Sequence, residues 1–490
     1  MRNLRRLIFI GAAAIVLVAS GCSSTPKQMR VHPAESTQLG DSFYIEAPDN
    51  ARGYSCSFVE FDGRGDYLDF QQHTHCYNRI KELAREDEVP LLLVVYCHGW
   101  KNGAQSADVV RFNHFLSRLA KTKGVAGQNY RVHGVFLSWQ GNVVKPYVDK
   151  NSEAYTVTST DFGAPILDPG ESRKWKIHGW LRENLSYWNR KAAAEHYVSG
   201  IPIARSIFTY AGAAKQKTRD GEMNSKNKVF VMGHSFGALM MEQSLAHAMV
   251  GSISGQWLWG EKEEDRANQA DLPAKPYLPF DLVLLVNSAA PSIYAKELQL
   301  FMAANKSATD EEHPTIISLT STSDNATRKA HRLANTFARW YPSLRRKYDS
   351  GVLKPIKNHQ PIHQSYYYQR TPGHNPLLIN RWIESTQSSA KVVNTSDAVL
   401  AHNISAREDT HAFLTSNKKG DTPDAWEIVG PETKDIKWKG SDIHYWPSGY
   451  WIMSCGPALI KNHGDVWNDN AMECYAALYR LTAFLKREDK

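Results

Sequence analysis

Residues 228 to 249 constrain this chain more than any other stretch. Lys228-Val229-Phe230-Val231-Met232 is a short apolar run of β-formers, Gly233-His234-Ser235-Phe236-Gly237 follows, and Ala238, Leu239, Met240 and Met241 open a segment with apolar residues at helical spacing. The pattern predicts strand, sharp turn, helix. A serine in such a turn sits in a strained backbone conformation, which Gly233 and Gly237 permit because a side chain at either would run into the neighbouring strand or helix. Ser235 is thereby lifted clear of a sheet and becomes the candidate nucleophile. With 31 glycines in the chain, a bare Gly-x-Ser-x-Gly match carries little weight, and its setting between strand and helix carries the reading.

That setting resembles the α/β-hydrolase superfamily, and within it the lipase, esterase and acyl-hydrolase branch, over about residues 88 to 345 and 445 to 486. The resemblance implies an α/β chain with the α/β-hydrolase fold: a mostly parallel central sheet flanked by helices, with large cap-like insertions. It also implies a Ser-His-Asp triad working through an acyl-enzyme, with no metal or organic cofactor.

The rest of the core shows as apolar strands alternating with helical segments. Early strands are expected at residues 54 to 61 and 67 to 70, with a helix from Tyr77 to Glu86. Pro90 to Tyr96 is a continuous apolar run, the mark of a strand covered on both faces, and it leads into His98-Gly99-Trp100. In the superfamily a His-Gly-x at this point gives half of the oxyanion hole through the N–H after the glycine. The resemblance therefore assigns the backbone of Trp100 to that role and the backbone of Phe236, directly after the nucleophile, to the other half. A helix from Ser106 to Thr122, a strand from Tyr130 to Trp139 and a helix from Asn189 to Lys215, weakened by Gly200 and Pro202, complete the first half.

After the nucleophile helix, the strand Phe280 to Val286 ends in Asn287-Ser288-Ala289 with no carboxylate, so the acid is not there. The strand Thr315 to Thr322 is followed by Ser323-Asp324-Asn325, and Asp324 at that strand end is the candidate acid; its plainer role is to cap the helix predicted from Asn325 toward Trp340. Asp281 precedes its strand and falls on the wrong edge. The order Ser, Asp, His implied by the resemblance leaves His331, His359, His363, His374, His402, His411, His444 and His463 as bases. His331 is too near the acid in sequence, and His359, His363, His374 and His402 sit in an irregular block with no strand to aim them. His411 and His444 lie in or beside that block. His463 alone follows the last strand, Gly449 to Cys455, and precedes the closing helix, Asn470 to Arg487, and is the candidate base.

Three segments exceed the minimal fold: residues 140 to 188, 251 to 279 with Trp257-Leu258-Trp259, and 341 to 445, where a weak helix is expected near Pro376 to Thr386. They are read as insertions of one domain spanning residues 51 to 490, the third as a cap, because no second periodic core is visible.

The chain opens on Arg2, Arg5 and Arg6, an apolar run from Leu7 to Val18, and Ala19-Ser20-Gly21-Cys22. Residues 1 to 21 read as an export signal, and the small residues before Cys22 resemble a bacterial lipobox with Ala where Leu is usual. That implies lipidation at Cys22, a tether over residues 22 to 50, and a protein moored to a membrane of the bacterial envelope, the outer membrane on its periplasmic face. Without the three signal arginines the formal charge falls from +8 to +5, and no basic block with interleaved aromatics appears, which argues against a nucleic-acid partner.

Of six cysteines, Cys22 goes to the lipid and an odd five remain. Cys97 reads as a buried thiol; Cys56 with Cys76 and Cys455 with Cys474 are the pairs available for bridges. His73-Thr74-His75-Cys76 lacks a second ligand pair nearby, and no metal is expected. The substrate class expected is a carboxylic ester, small or lipid. A thioesterase or acyltransferase would use the same triad, and a non-catalytic envelope lipoprotein using the fold as an interaction module is the reading from another class.

Overall fold

The computed structural model describes residues 45–46, 54–85, 89–104, 106–121, 130–141, 187–198, 201–215, 226–253, 279–304, 314–331, 365–375, 377–385, 426–429 and 449–484. The strands are β1 (Ile45–Glu46), β2 (Tyr54–Phe61), β3 (Leu91–Cys97), β4 (Arg131–Trp139), β5 (Lys228–His234), β6 (Leu282–Val286), β7 (Ile316–Ser321), β8 (Arg381–Ser385), β9 (Trp426–Val429) and β10 (Tyr450–Cys455). The helices are α1 (Phe70–Ala84), α2 (Ala107–Lys121), α3 (Tyr187–Ala193), α4 (Ile201–Ala214), α5 (Phe236–Ile253), α6 (Ser292–Ala304), α7 (Ser365–Tyr368) and α8 (Asp469–Phe484). A π turn, Ala194–Val198, follows α3 and ends just before Gly200, where one long helix had been expected.

The ten strands form one sheet in the order β1-β2-β4-β3-β5-β6-β7-β10-β8-β9. The eight from β2 to β8 run parallel, and only the outermost pairs, β1 on β2 and β9 on β8, are antiparallel. The chain is thus of the α/β class, a mostly parallel sheet with flanking helices. Strand periodicity builds both layers: Leu91, Leu93, Val95 and Cys97 of β3 face one cluster, with α1, α4, α5 and α6, while Leu92, Val94 and Tyr96 face the other, with α2 and α8. Each large apolar side chain buried in these layers contributes on the order of 2 kcal/mol.

The sheet direction decides where a ligand can sit. From β3 the chain moves outward through β4; from β5 it moves the other way through β6 and β7. The carboxyl ends of β3 and β5 therefore flank the point where strand order reverses, the crevice in which open α/β sheets bind their ligands.

Several local expectations are corrected. No strand spans residues 67 to 70: Tyr67 makes a single bridge to Phe61, and α1 starts at Phe70 because Asp69 caps it, its carboxylate accepting from the Gln71 amide. The helix expected near Pro376 to Thr386 is strand β8, since Trp382 and Ile383 gain a parallel partner in β10 that outweighs local preference. The described parts of the 341 to 445 block thus supply sheet strands β8 and β9. Neither cysteine pair is bridged: Cys56, Cys76, Cys97, Cys455 and Cys474 are all buried and none forms a disulfide. Cys56 faces the α2 layer while Cys76, on α1, packs in the layer across the sheet. His73 lies against Tyr210, with Nδ1 2.6 Å from the phenol oxygen, and no cluster of three or more ligating side chains is placed to hold a metal among the described residues. No helix among them is long and apolar enough to cross a membrane. Ile45 and Glu46, expected in the tether, pair with Cys56 and Ser55 as edge strand β1, so the sheet begins before residue 51. Cys22, the signal, the rest of the tether, Trp257 to Trp259 and most of the three insertions lie outside the described residues.

Candidate active site

Ser235 stands between β5 and α5 with φ 57°, in the left-handed region that residues with a side chain rarely occupy. Such a conformation costs on the order of 1–3 kcal/mol and persists only where its surroundings hold it. They do so here. The Ser235 amide donates to Val286 O at 3.0 Å, and its carbonyl accepts from Leu239 N at 3.0 Å and Ala289 N at 3.2 Å. A Cβ at Gly233 would stand 2.8 Å from the Ala238 backbone, and one at Gly237 would collide with the Cys97 carbonyl, so α5 can start hard against the ends of β5 and β3 only with glycine at both.

Parallel register brings the other groups to the same edge. Asp324 lies three residues past β7 and His463 eight past β10, and Ser321 pairs with Cys455. The His463 Nδ1 is 2.8 Å from Asp324 Oδ2, and its Nε2 is 2.7 Å from Ser235 Oγ. Chemistry fixes the tautomer: a carboxylate only accepts, so Nδ1 donates, Nε2 carries the lone pair, and the serine hydroxyl donates to it. Asp324 is fully buried, whereas 27 % of the His463 side chain is exposed, leaving the ring open on its solvent side.

Asp324 accepts four hydrogen bonds. Oδ1 takes the amides of Ala326 at 2.9 Å and Thr327 at 3.2 Å; Oδ2, besides facing His463, takes the Thr327 hydroxyl at 2.5 Å. Capping of the turn and the bond to His463, offered as alternatives by the sequence, are here both made by one carboxylate. Burial pushes its pKa up, but the bond and charge interaction with His463 and the bonds from Thr327 outweigh it and hold the carboxyl at about 2.

On the other side of Ser235 lies the loop after β3. Cys97 pairs with Gly233, which sets Gly99 directly beside the serine. His98 shapes this loop: Nδ1 donates to Gly99 O at 2.8 Å, and Nε2 accepts from the Trp139 amide at 3.2 Å. Burial lowers its pKa to about 4, so the ring is neutral as those bonds require. Gly99 O and Trp100 N belong to one peptide plane, so the imidazole also fixes the aim of the Trp100 N–H. Phe236 opens α5, where a first-turn amide has no carbonyl four residues earlier to bond. Tyr187 packs against both Trp100, ring centres 5.2 Å apart, and Phe236, 5.4 Å apart, making an aromatic wall beside these two amides.

Residues not singled out in the sequence hold the His463 loop. His463 O accepts from His234 Nε2 at 2.8 Å and from Asn287 Nδ2 at 3.3 Å, while Asn287 Oδ1 takes the Ser321 amide at 3.0 Å. Asn287, at φ 46°, therefore ties the end of β7 to the His463 loop. A non-glycine residue directly after a parallel strand, with a side chain able both to donate and to accept, is the signal that would have found it. Among the other base candidates, His331 is buried at the end of the π turn Ala326–Ala330, and His374 lies behind the acid, its Nε2 3.1 Å from Thr327 Oγ1. His359, His363, His402, His411 and His444 lie outside the described residues.

Fold and site together define an α/β protein with a hydrogen-bonded Ser-His-Asp array at the carboxyl edge of a mostly parallel sheet. No family model, no curated protein and no solved structure matches this chain.

Proposed function

We propose that this protein is a serine hydrolase of the α/β-hydrolase type, cleaving carboxylic esters through Ser235, His463 and Asp324. The observation that carries the proposal is the continuous chain from Asp324 through His463 to a serine held at φ 57°. Nothing about stability asks for a strained, hydrogen-bonded serine at a strand end, whereas an activated nucleophile needs one.

In the reaction, Ser235 Oγ attacks the ester carbonyl carbon as its proton passes to His463 Nε2. Asp324 orients the ring and stabilises the imidazolium. The carbonyl oxygen takes up the negative charge against the amides of Trp100 and Phe236. The intermediate collapses, the leaving alcohol takes the proton from His463, and water repeats the sequence to free the acid from Ser235. Residues of this chain supply every step, so the reaction calls for no cofactor. Lipid esters are favoured over small soluble ones because the sequence reading moors the protein, through a lipid on Cys22, to the periplasmic face of the outer membrane. Thioesters, or transfer to an acceptor other than water, would use the same groups.

A fluorophosphonate probe tests the proposal. Intact protein should be labelled at Ser235, and Ser235→Ala should abolish labelling. A folded, unlabelled wild type would turn the reading to a non-catalytic interaction module of the envelope.

A further inference from the structure

Behind Asp324 the hydrogen-bonded chain continues. The Thr327 hydroxyl must donate to Asp324 Oδ2, 2.5 Å away, because a carboxylate only accepts. That uses the hydroxyl's one proton, so toward His374 Nε2, at 3.1 Å, the Thr327 oxygen acts as acceptor and the imidazole donates. Thr327 is 3 % exposed and His374 is partly buried. Burial, only partly offset by the Asp324 charge and a hydrogen bond to the Asp324 backbone, lowers the His374 pKa to about 4, which keeps its ring neutral. The order is His374 Nε2–H to Thr327 Oγ1–H to Asp324 Oδ2, then to His463 Nδ1–H, with Ser235 Oγ–H donating to His463 Nε2.

The placement of His374 is built into the fold. It ends a short 3-10 turn, Pro372–His374, whose Gly373 lies so close to β7 that any Cβ there would collide with the Thr320 side chain. Asn375 anchors the turn from beyond, its Nδ2 donating to Ser292 Oγ at 2.8 Å. The sheet strand that carries the acid and the turn that carries His374 are thus packed backbone to side chain with no space between.

We infer that Thr327 and His374 are positioning residues of the triad, His374 acting on Asp324 through the Thr327 hydroxyl; the inference rests on the serine-hydrolase reading above. Two donors on one carboxylate oxygen fix where that oxygen points, and it is the oxygen that orients His463. A hydroxyl already polarised by an imidazole N–H donates more strongly than a lone one. Take away the hydroxyl and Asp324 Oδ2 is free to turn away from His463 Nδ1, with its cap bonds on Oδ1 left intact.

The test compares rates of fluorophosphonate labelling in the full chain. Thr327→Val keeps the side-chain shape and removes only the donor, and Thr327→Ser keeps the donor. Loss of one charge-assisted bond predicts about a tenfold fall in labelling rate for Thr327→Val, with Thr327→Ser recovering to within about threefold of wild type. His374→Leu should cost about threefold in wild type and nothing further in Thr327→Val, because its effect runs through the missing hydroxyl. The downfield proton resonance of His463 Nδ1–H, identified by its loss in His463→Gln, should move in Thr327→Val and return in Thr327→Ser. Equal falls in Thr327→Val and Thr327→Ser, an unchanged rate in Thr327→Val, or a His374→Leu cost that persists without the hydroxyl would each overturn the inference while labelled wild type leaves the hydrolase reading standing. Folded wild type that is not labelled at all would overturn both.

Discussion

Gly99 and Ser235 meet side by side across the carboxyl edge of the sheet: a Cβ on Gly99 would stand 2.8 Å from Ser235 Cβ, closer than such atoms approach. Ser235 and the loop expected to hold the oxyanion are therefore packed directly together, and neither can be re-aimed without the other. Gly99→Val should cut kcat by on the order of a hundredfold, as loss of one oxyanion donor does, whereas Trp100→Phe keeps the amide and should retain most activity. Steady-state rates on an aryl ester check both, and equal small effects would mean that this loop merely carries the chain out of β3.

His463→Ala and Ser235→Ala should lower kcat by roughly a thousandfold or more and to similar depths, with Asp324→Ala close behind, because groups acting as a unit fail together. Circular dichroism should show the fold unchanged. Near-wild-type turnover in His463→Ala would move the base to another histidine, with His444 and His411 the first to mutate.

Much of this site was legible in the sequence for reasons that can be named. Ser235 can be placed at the carboxyl edge because two glycines, a strand and a helix specify one backbone path, and His463 beside it because it alone follows a strand on that edge. Thr327 and His374 were not legible. What brings them to Asp324 is the packing of Gly373 on Thr320, a contact between segments about fifty residues apart with no local pattern to announce it. β8 was missed for a related reason: five residues ending the turn beside Leu378 become a strand only because β10 is there to pair with them. Asp324 was seen as either a cap or an acid, since sequence offers one role at a time, while the folded carboxylate has two oxygens and uses them separately.

Stability should respond to pH through Glu242, a residue outside the proposed chemistry. This carboxyl on α5 is wholly buried, bonded by the Tyr450 hydroxyl at 2.8 Å and Ser288 Oγ at 2.9 Å, and burial, only partly offset by those bonds, pushes its pKa from 4.5 to about 7. Folded protein then keeps this proton to higher pH than unfolded protein does. Stability is accordingly greatest below about pH 4.5 as far as this group is concerned, falls between there and about pH 7, and is level above; the total loss is about 3 kcal/mol. Thermal melts of Glu242→Gln should lack this fall and lie above wild type at pH 8. A mutant less stable than wild type at that pH would show that the ionised form is better satisfied than its surroundings suggest.

Anchoring is tested separately. Cys22→Ala should move the protein from the detergent-extracted membrane fraction to the soluble periplasmic one if, as the lipobox reading proposes, a lipid on Cys22 carries the attachment. A mutant that stays with membranes, at the same apparent mass as wild type, would remove the lipobox reading without touching the site.

The sheet order has a consequence for how the protein is made. β10 lies inside the sheet, between β7 and β8, yet it is the last strand among the described residues. Until residues 450–455 arrive, β7 has an open edge and the pair β8 and β9 has nothing to join. Insertion of that one strand closes the sheet and, eight residues later, delivers His463 to Ser235. An incomplete chain carries Ser235 without His463 beside it, so on the proposed mechanism the serine gains its base only when the fold is complete. In refolding experiments, recovery of probe labelling should therefore follow the slowest structural phase, with no active intermediate before it.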